Sequence, residues 1–194
     1  INKIYNKIPT TKIDELCAEI CVSKGTTNYE YMTLGSRIII SNNHKNTKEC
    51  FLEKLNILSE NNNISDKLIW FSTINRDYDF DYFSFKTLEK SYLLKNQNGL
   101  VVERIQDMIM RVSIGIHYDS FMSAIQTYNC ISKKYMIHAT PTLYHAGLDK
   151  PQLLSCFLGG IHDSIDGIFE GLKRCGQISK WSGGIGLNIH NIRG

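Results

Sequence analysis

Residues 152–189 run QLLSCFLGGIHDSIDGIFEGLKRCGQISKWSGGIGLNI, and the fold class turns on their pattern. The apolar run 152–158 has the length and composition of a buried strand. Asp163 stands where a helix cap belongs, and Ile165, Ile168, Phe169 and Leu172 then share one helical face. Glu170 and Arg174 are spaced as an i,i+4 pair on another face. Ser182, Gly183 and Gly184 break that helix, and Ile185–Ile189 returns to a strand. Upstream, Tyr135–His138 reads as a further short strand, followed by a polar loop over 139–147. This alternation of strands with a helix predicts the opening of an α/β sheet or barrel.

The chain before residue 135 has a different texture. Proline is confined to Pro9, Pro141 and Pro151, which suits helices. Ile13, Leu16, Cys17 and Ile20 fall at offsets 0, 3, 4 and 7, with Thr11 and Asp14 spaced as a capping box and Gly25 as the stop. Tyr31, Leu34 and Ile38 predict a second helix, and Phe51, Leu55 and Leu58 a third. The Asn-rich stretch 59–65 reads as a solvated, mobile loop, with a helix near 64–72 after it. An aromatic stretch spans 78–94, and Asn96–Gly99 is a turn. Ile105, Met108, Ile109, Val112 and Ile116 carry the strongest helical period, and Phe121, Ala124, Ile125 and Tyr128 another. The expected architecture is α+β, a mainly helical region leading into the first strands and helix of an α/β domain.

Composition narrows the function class. With 194 residues, 42% hydrophobic and 21% charged, the sequence is ordinary globular material. Its net charge of +3 is spread along the chain, which gives no support for a nucleic-acid or membrane-surface partner. No apolar run reaches the roughly 18–20 residues of a membrane span, and no N-terminal signal is present. Beginning at Ile1 and stopping at Gly194 after a strand-like run, the sequence reads as a piece of a longer protein. Six cysteines and six histidines are scattered without zinc spacing, so no metal site is expected, and reduced cytoplasmic thiols are the default. Cys17, Cys21, Cys50, Cys130 and Cys175 read as core residues.

Several residues admit two readings from sequence. Cys156, beside Ser155, is either a small thiol filling a core or a redox or nucleophilic thiol, and the strand alone does not decide. Gly183, Gly184 and Gly186 follow a helix and enter a strand, the reverse of a dinucleotide fingerprint. They form a tight turn, or they let a ligand approach the backbone. Asp163, Ser164 and Ile165 open a helix, as a cap or as a place for a ribose hydroxyl and phosphate. Lys180 and Arg193 are phosphate partners or solvated charges. The hydroxyls of 139–147 bind an anion or stabilise a turn, and His145 reads as a surface residue. Trp181 is unusual beside glycines unless it packs or stacks.

The order and wording of these segments resemble the large subunit of class I ribonucleotide reductase. The segments are 139–158 (ATPTLYHAGLDKPQLLSCFL), 163–173, 178–193, 85–94 and 41–48, and the resemblance extends over nearly the whole chain apart from the Asn-rich loop. The resemblance implies a fold and domain plan: the C-terminal part of an ATP-cone over 1–50, a helical domain over 51–135, and the start of a ten-stranded α/β barrel over 136–194. It implies radical reduction of ribonucleoside diphosphates to deoxyribonucleoside diphosphates for DNA synthesis. Cys156 then resembles the reducing cysteine, which pairs with a second cysteine far downstream. Thr140, Ser155 and Gly184 resemble substrate contacts. Asp163, Ser164, Ile165, Lys180 and Arg193 resemble a specificity site for a deoxynucleoside triphosphate or ATP at a dimer interface. Thr10, Asp14 and Lys45 resemble part of the ATP activity site. The implied partners are a radical-bearing small subunit, a second large subunit, nucleoside diphosphates, and thioredoxin or glutaredoxin as reductant, with no cofactor resident in this chain. Trp181 departs from the family by replacing a usually small residue, and the stretch between Cys156 and Asp163 is one residue shorter than in close relatives. A different expectation is a non-catalytic nucleotide-binding regulatory or assembly module, and another an oxygen-independent radical enzyme sharing the barrel.

Overall fold

The computed structural model describes residues 4–47, 76–148 and 151–194. The expected third helix at Phe51, the Asn-rich loop, the helix near 64–72 and Cys50 lie outside the described residues. Seven α-helices, a 3-10 turn and two strands form among the described residues, which matches the expected α+β class. The chain divides into two units, Ile1–Met110 and Arg111–Gly194.

In the first unit, α1 (Thr10–Ser23) packs on α2 (Tyr29–Asn46). Small residues set their separation. A Cβ on Gly35 would lie 2.8 Å from Val22 Cγ2 and 3.0 Å from the Ala18 carbonyl. The buried residues of α2 are therefore Gly35, Ser36, Ile39, Ile40, Asn42 and Asn43. Tyr31 and Leu34, expected to face the core, are exposed, because the close-packed side is fixed by Gly35 rather than by the largest apolar residues. On α1 the buried residue is Ala18, while Cys17 and Ile20 are exposed, so Cys17 is not a core thiol. The expected Thr11–Asp14 capping box does not form. Pro9 is the N-cap, without a side-chain bond, and Asp14 accepts instead from Lys45. Asn28 caps α2 by accepting from the Glu30 N–H.

A 3-10 turn (Asp77–Asp79), α3 (Tyr82–Ser91) and the first half of α4 (Ile105–Ile116) complete this unit. Asp81 caps α3 by accepting from the Ser84 N–H. The turn at 96–99 forms as expected, closed by a bridge between Lys95 and Val101, with Gly99 at φ +76°. Asp77 is buried beneath α2. Its Oδ2 lies 2.6 Å from His44 Nε2, and its Oδ1 accepts from the Gln106 N–H at 3.0 Å. Arg104 donates to the His44 carbonyl and the Thr47 hydroxyl, supplying partners to the C-terminal end of α2. Along α4, Ile105, Met108, Ile109 and Val112 are buried as their period predicts.

In the second unit, α5 (Phe121–Ser132) buries Ala124 and Tyr128, as expected, and ends through Lys134 at φ +65°. Tyr135–His138 is not a strand: it is an irregular connection with no ladder partner among the described residues. The expected polar loop 139–147 contains a short helix, α6 (Thr140–His145), because Pro141 sits in its first turn, where proline is tolerated. Strands β1 (Cys156–Gly160) and β2 (Gly184–Asn188) are parallel and joined through α7 (Ile165–Lys180). β1 begins later than the apolar run suggests and is not buried: Cys156 is exposed and Leu158 is 91% exposed. The faces of a two-stranded sheet have little to pack on.

The face of α7 expected in the core is also turned outward, with Ile165, Phe169 and Leu172 exposed. The buried position is Gly171, where a Cβ would lie 3.1 Å from Ile161 Cγ1. The cap of α7 is Ser164, which accepts from the Gly167 N–H at 3.0 Å, rather than Asp163. Arg174 donates to the Gly160 carbonyl, and Glu170 lies 3.5 Å from Lys173, so the expected Glu170–Arg174 pair does not form.

Candidate functional site

Parallel pairing builds the site. The register sets Cys156 opposite Gly184, and the Gly184 N–H donates to the Ser155 carbonyl at 2.8 Å. Three candidate residues from two distant segments thus meet at one end of the sheet. Cys156 is a free, exposed thiol, with the Ser155 hydroxyl 3.7 Å from its sulfur. Within this chain Cys156 does not fill a core. A Cβ on Gly184 would lie only 3.0 Å from the Ser155 carbonyl, so the glycine keeps this end of the sheet narrow. Gly183, one residue before, is buried, and a Cβ there would lie 2.6 Å from Ile178 and 2.9 Å from the Phe157 ring.

Thr140 opens α6, whose far end ties back to the strand entry. The Thr142 hydroxyl donates to the Leu153 carbonyl at 2.9 Å, and His145 Nδ1 lies 3.1 Å from the Gln152 carbonyl. Segment 140–145 and the lead into Ser155 are thus one hydrogen-bonded piece. His145 is half-buried, not a free surface residue, and its ring meets the edge of Trp181 at 6.4 Å. Trp181 also lies 5.6 Å from the Lys180 ammonium. Sequence reading flagged the tryptophan but missed Thr142, since a lone threonine carries no local signal of burial.

Asp163 and Arg193 come together, with Arg193 Nε 3.5 Å from Asp163 Oδ2. Ser164 and Ile165 follow directly at the start of α7. Lys180 does not join them. It ends α7, and the 16-residue helix sets it roughly 22 Å along the axis at 1.5 Å per residue. Thr10 and Asp14 lie one turn apart on α1, and Lys45 Nζ donates to Asp14 Oδ2 at 2.7 Å from α2, so this trio is gathered in the first unit. Among the described residues, no three acidic, cysteine or histidine side chains cluster as a metal site, and no helix is long and apolar enough to cross a membrane.

His138 is held below its ordinary proton affinity. Burial lowers its affinity for a proton, and the neighbouring His117 adds to that. Its Nε2 is buried without a hydrogen-bond partner among the described residues.

Two family models match the chain: "Ribonucleotide reductase, all-alpha domain" over residues 78–151 and "Ribonucleotide reductase, barrel domain" over 154–194. Curated relatives named ribonucleoside-diphosphate reductase large subunit are similar throughout. The protein from Caenorhabditis elegans is 45% identical over 100% of the chain and 27% of its own length. That from Arabidopsis thaliana is 44% identical over 98% and 26%, and that from Monkeypox virus 46% over 100% and 28%. The chain spans about a quarter of the length of these relatives.

Proposed function

The chain belongs to the ribonucleotide reductase large-subunit family, and we propose that it serves an enzyme reducing ribonucleoside diphosphates to deoxyribonucleoside diphosphates. The observation that carries this reading is the Cys156 thiol held in register with Gly184 and beside Ser155. Cys156 is one of two thiols that supply the electrons. A substrate radical generated elsewhere loses its 2′ hydroxyl as water. The dithiol gives up two hydrogens, closes to a disulfide, and is reopened by thioredoxin or glutaredoxin. Thr140, Ser155 and Gly184 contact the nucleotide: the hydroxyls serve its polar groups, and the glycine leaves room for it. The radical is supplied by a small subunit, and no cofactor resides in this chain.

Asp163, Ser164, Ile165 and Arg193 hold an effector nucleoside triphosphate, Asp163 on the ribose and the cation on phosphate. Because α7 separates Lys180 from Asp163, the Lys180 that reaches that effector comes from the second subunit of a homodimer. Thr10, Asp14 and Lys45 are the part of an ATP activity site that this chain contributes, and the two nucleotide sites act as couplings to turnover. The domain plan is an ATP-cone portion over 1–50, a helical domain over 51–135 and the barrel start over 136–194, in a cytoplasmic enzyme. The test uses the complete large subunit with its small subunit on cytidine diphosphate. Cys156→Ser abolishes multiple-turnover product formation. Turnover that survives the substitution refutes the role of the thiol.

A further inference from the structure

We infer that Arg111 and Gly115, one turn apart on α4, are positioning residues that set the nucleotide-binding segment, an inference that rests on the function proposed above. Arg111 is a cation only 1% exposed. A buried guanidinium is costly unless strong acceptors meet it. Here Nη1 donates to the Ala146 carbonyl at 2.8 Å and to the Leu143 carbonyl at 3.4 Å, and Nη2 reaches the Leu143 carbonyl at 3.4 Å. Leu143 lies in the last turn of α6, and Ala146 is its C-cap. The fork therefore takes up carbonyls at a helix end, where a positive charge is favoured.

Gly115 acts on the same turn by contact. A Cβ there would lie 2.0 Å from the Gly147 nitrogen and 2.7 Å from the Ala146 carbonyl carbon and Gly147 Cα, all backbone. Gly147 is itself at φ +79°, and a Cβ on it would strike Arg111 Cγ and the Arg111 carbonyl at 2.7 Å. Both sides of this contact exclude side chains, so the position of 146–147 is fixed against α4. From that anchor the chain of contacts runs through Thr142 to Leu153 and His145 to Gln152, two and three residues before Ser155. Thr140 and Ser155 thus share one support, and that support is α4.

Adding a methyl at Gly115 forces the 146–147 turn back by roughly 1–1.5 Å before the contact becomes ordinary. A displacement of that size weakens a hydrogen bond from Thr140 or Ser155 to the nucleotide and raises the diphosphate KM by about tenfold, with kcat changed less than KM. The experiment uses the complete large subunit with its small subunit. Gly115→Ala, Arg111→Lys and Arg111→Gln are compared with Ala124→Gly, a buried substitution on α5. The nucleotide affinity is read a second way, by protection of Cys156 from iodoacetamide, resolved by peptide mass spectrometry.

The expected result is a raised KM and a raised protection midpoint for Gly115→Ala, no such change for Ala124→Gly, and a smaller loss for Arg111→Lys than for Arg111→Gln. Equal midpoints in wild type and Gly115→Ala overturn the inference, as does an equal rise with Ala124→Gly. If the α4 variants do not fold, hydrogen exchange of the wild-type enzyme decides. Nucleoside diphosphate slows exchange at the Ala146 and Gly147 amides if the turn supports the site, and unchanged exchange there overturns the inference. Absence of any protection of wild-type Cys156 sinks the parent reading and the inference together, which separates the two failures.

Discussion

Replacing Asp77 tests the polar junction beneath α2. Its side chain is 4% exposed and that of His44 17%, so water reaches the imidazole only partly and the carboxylate hardly at all. An ionised carboxylate only accepts, so His44 Nε2 donates across the 2.6 Å contact and the Gln106 N–H donates at 3.0 Å. Asp77→Ala removes both acceptors and leaves two half-buried donors, a loss of about 2–4 kcal/mol. Asp77→Asn keeps the shape and the oxygen facing Gln106 and loses only the charge-assisted bond, about 1–2 kcal/mol. A double-mutant cycle with His44→Ala gives a coupling of about 1.5–3 kcal/mol. Native-state hydrogen exchange of the α2 amides is the assay, because it reads the opening of this element without requiring the whole chain to unfold in one step. Equal costs for the Asn and Ala variants, or a coupling near zero, would show that the carboxylate is not what holds His44. The same helix carries Lys45 to Asp14, so the readout reports on the scaffold of the proposed activity site.

Two further outcomes are expected. Ser164→Ala loses the cap of α7 and costs about 1 kcal/mol, whereas Asp163→Ala, which breaks only an ion pair to the 83% exposed Arg193, stays within about 0.5 kcal/mol by thermal unfolding. The reverse order would restore Asp163 as the cap. Burial holds the proton affinity of His138 below its ordinary 6.5. The unfolded chain therefore binds more protons as pH falls through 6.5 toward the lowered folded value, and stability falls over that window and levels off below it. His138→Gln removes this contribution, so parallel stability–pH curves for variant and wild type between pH 7 and 5 would contradict the assignment.

Helix existence was legible in the sequence wherever the period was strong, and helix orientation was not. On α4 the two agree for Ile105, Met108, Ile109 and Val112, which are buried, although Met110, Arg111 and Ser113 are buried too and Ile116 is only half-buried. On α2 and α7 they part. Periodicity weighs large apolar residues, but contact distance is governed by the small ones, and Gly35 and Gly171 define the packed sides while Leu34 and Phe169 stay outside. Capping failed for a related reason. A side chain near a helix start has competing partners, and Asp14 is taken by a lysine 31 residues away that no local rule could identify. The meeting of Cys156 with Gly184 depends on parallel register, a long-range property that strand patterns do not contain. Arg111 escaped notice because a single arginine in an apolar helix gives no hint of the carbonyls waiting for it.

Helix α7 also works as a measuring rod. Its outer surface tolerates exchange of one side chain for another, but its residue count does not vary freely. One inserted residue would swing everything after it by about 100° and advance it 1.5 Å. The ammonium at the far end would then point away from whatever it is meant to grip, even with every binding group intact. Divergence along this segment should accordingly proceed by substitution, and gaps should gather in the turns that flank it.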